Sequence, residues 1–256
     1  MNIEEAKKIT LSLIDTFNNA SKVALDLRKA GLTKEIKSDN TPVSNGDIEV
    51  NNILTKKIQE TTPNILIVSE ESSNHKQESG LKDFWLIDPI DGTKDYINNR
   101  DEFTLNAALI INKKPAIGII SAPAKGRVFY SYGLSNSYEL IDNQEIKLID
   151  KKKDYNTVTA VSYSNELKPE ILEIHKKHKI ISHQKMKSSL KFCVIAAGEF
   201  DMYVAEPRAC EWDIAAGHAI LEHAGGRITD FNGKEILYGK PEFKNPSLIL
   251  KNKNIL

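Results

Sequence analysis

The amino-acid sequence predicts a two-part mixed fold, an α+β first half on a partly antiparallel sheet followed by an α/β second half. Three observations carry that expectation. Two amphipathic helical stretches come first, and a run of short apolar segments separated by Gly, Pro and Asn-Lys-Lys follows. After residue 153, strands and helices alternate. At 256 residues the chain can bury a sizeable core, as one large domain or two smaller ones sharing an interface.

From Ile3 to Ala30, apolar residues at Ile3, Ala6, Leu13, Phe17, Ala20, Ala24 and Leu27 step by three and four, with a polar gap at Thr10, until Gly31 ends the pattern. A second helix is expected from Ser44, because Ser44-Asn45-Gly46-Asp47 has the form of a capping box and Val50, Leu54 and Ile58 share one face. Beyond Pro63 the apolar runs Ile65–Val68, Phe84–Ile87, Leu105–Ile111, Ala116–Ile120 and Val128–Tyr132 read as strands. Leu105 to Ile120 is expected to be a hairpin turning at Asn112 to Pro115, which makes the sheet partly antiparallel.

Lys151-Lys152-Lys153 and Asp154 read as a solvated linker, dividing residues 1–153 from residues 154–256. After it come strand Thr157–Val161, helix Pro169–Lys177, helix Ser189–Ala197, strand Met202–Ala205, and helix Glu211–Ala224 closed by Gly225-Gly226.

Thirty-five Lys plus Arg balance thirty-five Asp plus Glu, so no net field holds a nucleic-acid polymer or an anionic membrane. Any anionic ligand must be gripped locally. Cys193 and Cys210 are too few for a disulfide framework and lack the spacing of a zinc site, which fits a reducing compartment. The start, Met1-Asn2-Ile3-Glu4-Glu5, lacks the basic and apolar regions of a signal peptide, and no apolar run reaches membrane-spanning length. The expectation is a cytoplasmic protein without membrane insertion. The six histidines form no metal-spaced set, and His175, His178 and His183 are expected at the surface.

The chemistry concentrates in Ile87-Asp88-Pro89-Ile90-Asp91-Gly92-Thr93, where two carboxylates at the end of an apolar strand precede a glycine that lets backbone amides approach a ligand. Mg²⁺ prefers hard oxygen donors, so one or two carboxylates and a substrate phosphate make a natural site. Alone, the segment reads first as a strand-to-turn junction, since Asp, Pro and Gly are the usual turn formers. The preceding strand ends in Ser69-Glu70-Glu71-Ser72; if the two strands are neighbours, Glu70, Asp88 and Asp91 converge, and otherwise the Glu pair is a solvated loop. Asp213, in Cys210-Glu211-Trp212-Asp213-Ile214-Ala215-Ala216-Gly217, lies in a helix first turn, where the helix dipole favours an acid even without a function.

Taken in order, Asp47, Glu70-Glu71, Asp88-Pro89-Ile90-Asp91-Gly92-Thr93 and Trp212-Asp213 resemble the inositol monophosphatase superfamily of lithium-sensitive, Mg²⁺-dependent phosphatases, over effectively the whole chain. Within it, Gly92-Thr93-Lys94-Asp95-Tyr96, Glu102-Phe103-Thr104-Leu105-Asn106, Ser188-Ser189-Leu190-Lys191-Phe192-Cys193 and Ala197-Gly198-Glu199-Phe200-Asp201-Met202-Tyr203 look like the 3'(2'),5'-bisphosphate nucleotidase branch.

The resemblance implies a layered αβαβα sugar-phosphatase fold with the active site between an N-terminal α+β domain and a C-terminal α/β domain. The first domain would carry most metal ligands, and the second would contribute Asp213 and substrate contacts. It implies two or three Mg²⁺ per site: Glu70, Asp88 and the Ile90 carbonyl for the first ion, and Asp88, Asp91 and Asp213 for the second. Thr93, oriented by Asp47, would act with Glu70 on the attacking water, while the Gly92 and Thr93 amides hold the phosphate. A plain helix-cap role for Asp47 stays open.

Lys94, Ser188, Lys191 and Asp213 become candidates for contacting the substrate, against a plain N-cap serine and a solvated lysine for Ser188 and Lys191. Where nucleotidases commonly carry an Arg, this chain has Ala205, and Arg208 stands nearby as a substitute. The implied reaction is hydrolysis of the 3'-phosphate of adenosine 3',5'-bisphosphate to AMP and phosphate, in a monomer or homodimer. The rivals are inositol monophosphate, fructose 1,6-bisphosphate or another sugar phosphate as substrate, and a noncatalytic phosphate-binding regulator.

Overall fold

A computed structural model of the protein describes residues 1–37, 40–71, 80–142, 144–150 and 157–255. Helix α1 (Ile3–Ala30) buries Ala6, Thr10, Leu13, Phe17, Ala20 and Ala24 along one stripe. The polar gap at Thr10 lies within that stripe, because its Oγ1 donates to the Ala6 carbonyl at 2.8 Å and so needs no water. A short hairpin, β1 (Lys34–Ile36) and β2 (Pro42–Ser44), leads into α2 (Asn45–Thr61), whose N-terminus is the capping box of Ser44 and Asp47.

Next come β3 (Leu66–Ser69), β4 (Phe84–Asp91), the single-turn α3 (Thr93–Ile97), β5 (Thr104–Ile111), β6 (Lys114–Ala122), β7 (Arg127–Ser131), β8 (Ser137–Ile141) and β9 (Gln144–Lys147). They form a seven-stranded sheet in sequence order, β3–β4 parallel and every later pair antiparallel. The β5–β6 hairpin turns through Asn112 (φ 51°) and Lys113 (φ 65°), the double left-handed geometry that matches strand twist.

The second half holds β10 (Val158–Ser162), α4 (Pro169–Lys177), β11 (Ile180–Lys185), α5 (Leu190–Ala196), β12 (Met202–Ala205), α6 (Glu211–His223), β13 (Arg227–Thr229) and β14 (Leu248–Lys251). Its sheet has the order β11-β10-β12-β14-β13, with β10 parallel to both β11 and β12 and the β14 pairings antiparallel. The linker expected at Lys151 to Asp154 lies outside the described residues.

Strand alternation decides the layering. Trp85, Ile87, Leu105, Ala107, Leu109, Ile117 and Ile119 face α1 and α2. Phe84, Leu86, Ala108, Ile110 and Ile120 face the opposite way, onto α5 and α6, which also bury Tyr203, Ala205, Leu248 and Leu250 of the second sheet. Ala160, Met202 and Val204 pack beneath α4 on the outer face. The order is therefore helix, sheet, helix, sheet, helix. At Gly118 a Cβ would collide with the Ala216 carbonyl and the Ala219 side chain, so this glycine lets α6 lie directly on β6.

One surface expectation fails. His175 is buried, because Ile171 and His175 are four residues apart on the inward face of α4, where the sheet covers both. His183 is exposed and His178 half-buried. The short strands β1, β8, β9, β11 and β13 carry no apolar run and are not visible in the sequence pattern.

Candidate active site

The β3–β4 pairing is parallel, with Ser69 opposite Ile87, and the Glu70 amide extends it by donating to the Ile87 carbonyl at 3.0 Å. Glu70 thereby leaves the sheet beside Asp88. Against β5, Asp88 is opposite Asn106 while Asp91 is opposite Thr104, so three steps on β4 match two on β5. This bulge shifts the side-chain phase by one residue. Two acids that regular alternation would send to opposite faces both reach one cleft, which Asp213 also lines. Asp213 sits in the first turn of α6, where its Oδ2 accepts the Cys210 amide at 2.7 Å.

Carboxylate oxygens of Glu70, Asp88 and Asp213 lie within 4.8 Å of one another. Asp88 is buried, and its Oδ1 has no hydrogen-bond partner among the described residues. Burial, reinforced by the charges of Glu70, Asp91 and Asp213, holds the Asp88 carboxyl well above the usual carboxylate range. Burial and the neighbouring acids Asp91 and Glu70 do the same for Asp213. Burial raises Asp91 to about 6, opposed by Lys191 and by the Ser189 amide. A converging set of hard oxygens with one orphaned, buried acceptor fits Mg²⁺ and does not fit a soft metal.

Asp47 performs two tasks with two oxygens. Its Oδ2 accepts from the Ser44 amide at 2.8 Å and the Ser44 hydroxyl at 2.6 Å, while its Oδ1 lies 3.0 Å from Thr93 Oγ1. The helix-cap and Thr93-orienting roles are thus compatible. Thr93 Oγ1 is also 3.0 Å from the Ile90 carbonyl. Gly92 adopts φ 96°, and a Cβ there would stand 2.8 Å from the Glu102 carbonyl, so the turn that presents Thr93 requires glycine.

Glu70, Asp88, Ile90, Asp91, Gly92, Thr93, Lys94, Ser188, Arg208 and Asp213 line one cleft of about 230 Å³. A contiguous cavity of about 110 Å³ shares Asp91, Ser188, Arg208 and Asp213 with it and adds Lys191 and Ala205. Asp47 stands behind Thr93. Lys191 is not a solvated lysine: it is buried, its Nζ donates to the Ser188 carbonyl, and burial lowers it to about 8 against the pull of Asp91. Nor is Ser188 the residue before α5; that is Ser189, whose Oγ donates to Asn106 Oδ1 at 2.6 Å.

Three site residues escape the sequence reading. Lys37, after β1, contacts Glu71 at 2.6 Å and Glu70 at 3.3 Å. Lys187 is ion-paired to Asp95 at 2.9 Å. Tyr163, just past β10, carries the Arg208 guanidinium 3.3 Å over its ring. Only Tyr163 has a sequence signal, its place at the C-terminal end of a parallel strand, where α/β sheets bind ligands.

Five alternating layers, with acids gathered at the ends of two strands and the start of a helix, define a class of layered α+β proteins with an acid-lined cleft. The profile of the inositol monophosphatase family matches residues 5–255. A relative from Buchnera aphidicola (subsp. Acyrthosiphon pisum), a 3'(2'),5'-bisphosphate nucleotidase CysQ, is 35% identical over 254 residues, covering 89% of this chain and 92% of that protein. The crystal structure of CysQ from Bacteroides thetaiotaomicron, a member of the same family, matches with TM-score 0.70 and 26% identity, covering 98% of this chain and 97% of that one. An inositol monophosphatase/NADP phosphatase complexed with Mg²⁺ and phosphate shares the fold at TM-score 0.78 and 18% identity, covering 98% and 92%. The chain belongs to the inositol monophosphatase family.

Proposed function

We propose that the protein is a Mg²⁺-dependent 3'(2'),5'-bisphosphate nucleotidase that releases the 3'-phosphate of adenosine 3',5'-bisphosphate, giving AMP and inorganic phosphate. One observation carries the metal chemistry: the clustered oxygens of Glu70, Asp88 and Asp213 and the orphaned Asp88 Oδ1. The substrate follows from the nucleotidase relative and from two cations, Lys191 and Arg208, beside the acids.

Glu70, Asp88, Asp91, Asp213 and the Ile90 carbonyl would hold two or three Mg²⁺. Bound there, the ions supply Lewis-acid charge for phosphoryl oxygens and lower the pKa of water. The Thr93 hydroxyl, its proton directed to Asp47 Oδ1, accepts from the attacking water and orients it, and Glu70 takes the water's proton. Water adds to phosphorus as the P–O bond to the ribose 3' oxygen breaks, and that oxygen takes a proton from solvent water to leave as the 3' hydroxyl of AMP, so no covalent phosphoenzyme is needed. The amides of Gly92 and Thr93 hold the transferred phosphate, and Lys94 flanks it. Ser188, Lys191 and Arg208 receive the 5' end of the substrate, with Arg208 replacing the cation that Ala205 cannot provide.

In this reading residues 1–153 and 154–256 act as two domains around the cleft, in a cytoplasmic monomer or homodimer. No described helix is long and apolar enough to cross a membrane. Phosphate release from adenosine 3',5'-bisphosphate, inositol 1-phosphate and fructose 1,6-bisphosphate, each with Mg²⁺, tests the assignment. Preferred turnover of the bisphosphonucleotide is expected. Preference for either sugar phosphate overturns the substrate, and no turnover of any substrate favours a phosphate-binding regulator.

A further inference from the structure

Lys187, between β11 and α5, is held at both ends by acids of the first sheet's connecting segments. Its Nζ lies 2.9 Å from Asp95 Oδ2 and 3.1 Å from Asp95 Oδ1, and its amide donates to Glu102 Oε2 at 3.2 Å. The Asp95 side chain is 5% exposed, and its remaining cation contact is Arg100 at 3.0 Å. A nearly buried carboxylate with a charged partner on another element is a strong tether, since solvent screens it poorly.

The residue after Lys187 is strained. Ser188 is buried and adopts φ 56°, a left-handed conformation that costs a non-glycine residue free energy and persists only where its surroundings impose it. Those surroundings are the Lys187 tether on one side and Ser189 on the other, whose hydroxyl contacts Thr104 Oγ1 at 2.8 Å and Asn106 Oδ1 at 2.6 Å. The strained turn aims the Ser188 carbonyl at Lys191 Nζ and so places that ammonium in the cavity wall. Asp95 also neutralises Lys187, which lines the acid cleft with Lys94, whereas the adjoining cavity is lined by Lys191 and Arg208. Their other contacts are the aromatic faces of Tyr203 and Tyr163.

We propose that Asp95 is a specificity-determining positioning residue: through Lys187 it imposes the Ser188 turn that presents Lys191 to the substrate's second anionic group. The proposal rests on the nucleotidase reading above. Asp95 and Lys187 stand at the edge of the acid cleft, with the Asp95 carboxylate bound to Lys187 and Arg100 and given no part in the proton path, so its removal should weaken binding of the remote phosphate and spare the chemical step.

The test compares wild type, Asp95→Asn, Lys187→Met, the double variant, Asp95→Glu and Arg100→Ala. Three measurements are made: kcat and KM for adenosine 3',5'-bisphosphate with Mg²⁺, calorimetric affinity for AMP in EDTA, and thermal unfolding. AMP carries only the phosphate assigned to Lys191. For Asp95→Asn we expect KM and the AMP Kd to rise about tenfold with kcat within about twofold, as for loss of a positioned charge contact. Lys187→Met should match it, the double variant should be no worse, Asp95→Glu should recover most of the affinity, and Arg100→Ala should leave KM unchanged.

If Asp95→Asn does not fold, Lys187→Met tests the same pair from its more exposed end. Unchanged KM and Kd in the variants, or a fall in kcat at constant KM, overturns the proposal while leaving the nucleotidase reading intact. A wild-type protein that neither hydrolyses the bisphosphate nor binds AMP overturns both.

Discussion

Thr93 and Asp47, 46 residues apart, are joined by a 3.0 Å contact between Thr93 Oγ1 and Asp47 Oδ1, while the other Asp47 oxygen caps α2. One carboxylate therefore ties the orientation of a hydroxyl in the cleft to the start of a helix. Burial raises the Asp47 carboxyl above its ordinary value, and the hydrogen bonds from Ser44 and Thr93 oppose the shift.

Separating the two tasks predicts two phenotypes. Thr93→Val should lower kcat by about 10²-fold or more with little change in melting temperature, since it removes only the positioned hydroxyl. Asp47→Ala should lose similar activity and also about 1–2 kcal/mol of stability from the missing cap. Steady-state kinetics and denaturant unfolding on both variants check this; equal stability would refute the dual role.

Asp88→Asn should reduce turnover by about 10³-fold or more, because the orphaned, buried oxygen is central to the acid cluster. It should also stabilise the metal-free protein, by removing one of several mutually repelling carboxylates. In wild type, Mg²⁺ at a hundredfold excess over Kd should add about 3 kcal/mol to stability, and the variant should lose that gain. Melting curves with and without Mg²⁺ separate these effects.

Arg208→Ala should raise KM for adenosine 3',5'-bisphosphate about 10- to 100-fold, the expected loss for a charge-assisted contact to a phosphate. Tyr163→Ala should have a smaller effect of the same sign, by releasing the guanidinium now stacked on the ring. Inositol 1-phosphate turnover, if measurable, should change little.

His223 predicts a pH dependence of stability remote from the cleft. Its Nδ1 accepts the Gly133 amide at 3.1 Å, a bond that requires the neutral ring, and burial lowers the group to about 4, with Glu222 pulling the other way. The unfolded chain binds a proton below about pH 6.5 while the folded chain does not, so the folded state loses stability as pH falls from about 6.5 towards 4. The full loss is of order 3 kcal/mol. Denaturant unfolding at pH 7.5 and 4.5 measures it, and His223→Phe should flatten the dependence.

Many of the elements are legible because strand and helix periods are local properties, whereas their layering came only with the family resemblance. The Thr157–Val161 and Met202–Ala205 runs, the hairpin at Asn112 to Pro115 and the capping box at Ser44 all leave residue-level signals. His175 and Lys191 do not. A histidine or lysine on a short amphipathic segment reads as exposed, and only the covering sheet or the neighbouring helix makes it buried. Lys37, Tyr163 and Lys187 are single residues in unremarkable surroundings, and their partners Glu70, Arg208 and Asp95 lie 33, 45 and 92 positions away.

By itself, the sequence determined that acids would end two strands and begin one helix, since apolar runs, Gly92 and a helix first turn are written in adjacent residues. Only the tertiary structure decided that Glu70, Asp88 and Asp213 share one space, through the parallel β3–β4 pairing, the bulge between Asp88 and Asp91, and the seating of α6 on Gly118. The physical reason is that charge coupling and desolvation depend on distance in space, which chain spacing does not encode.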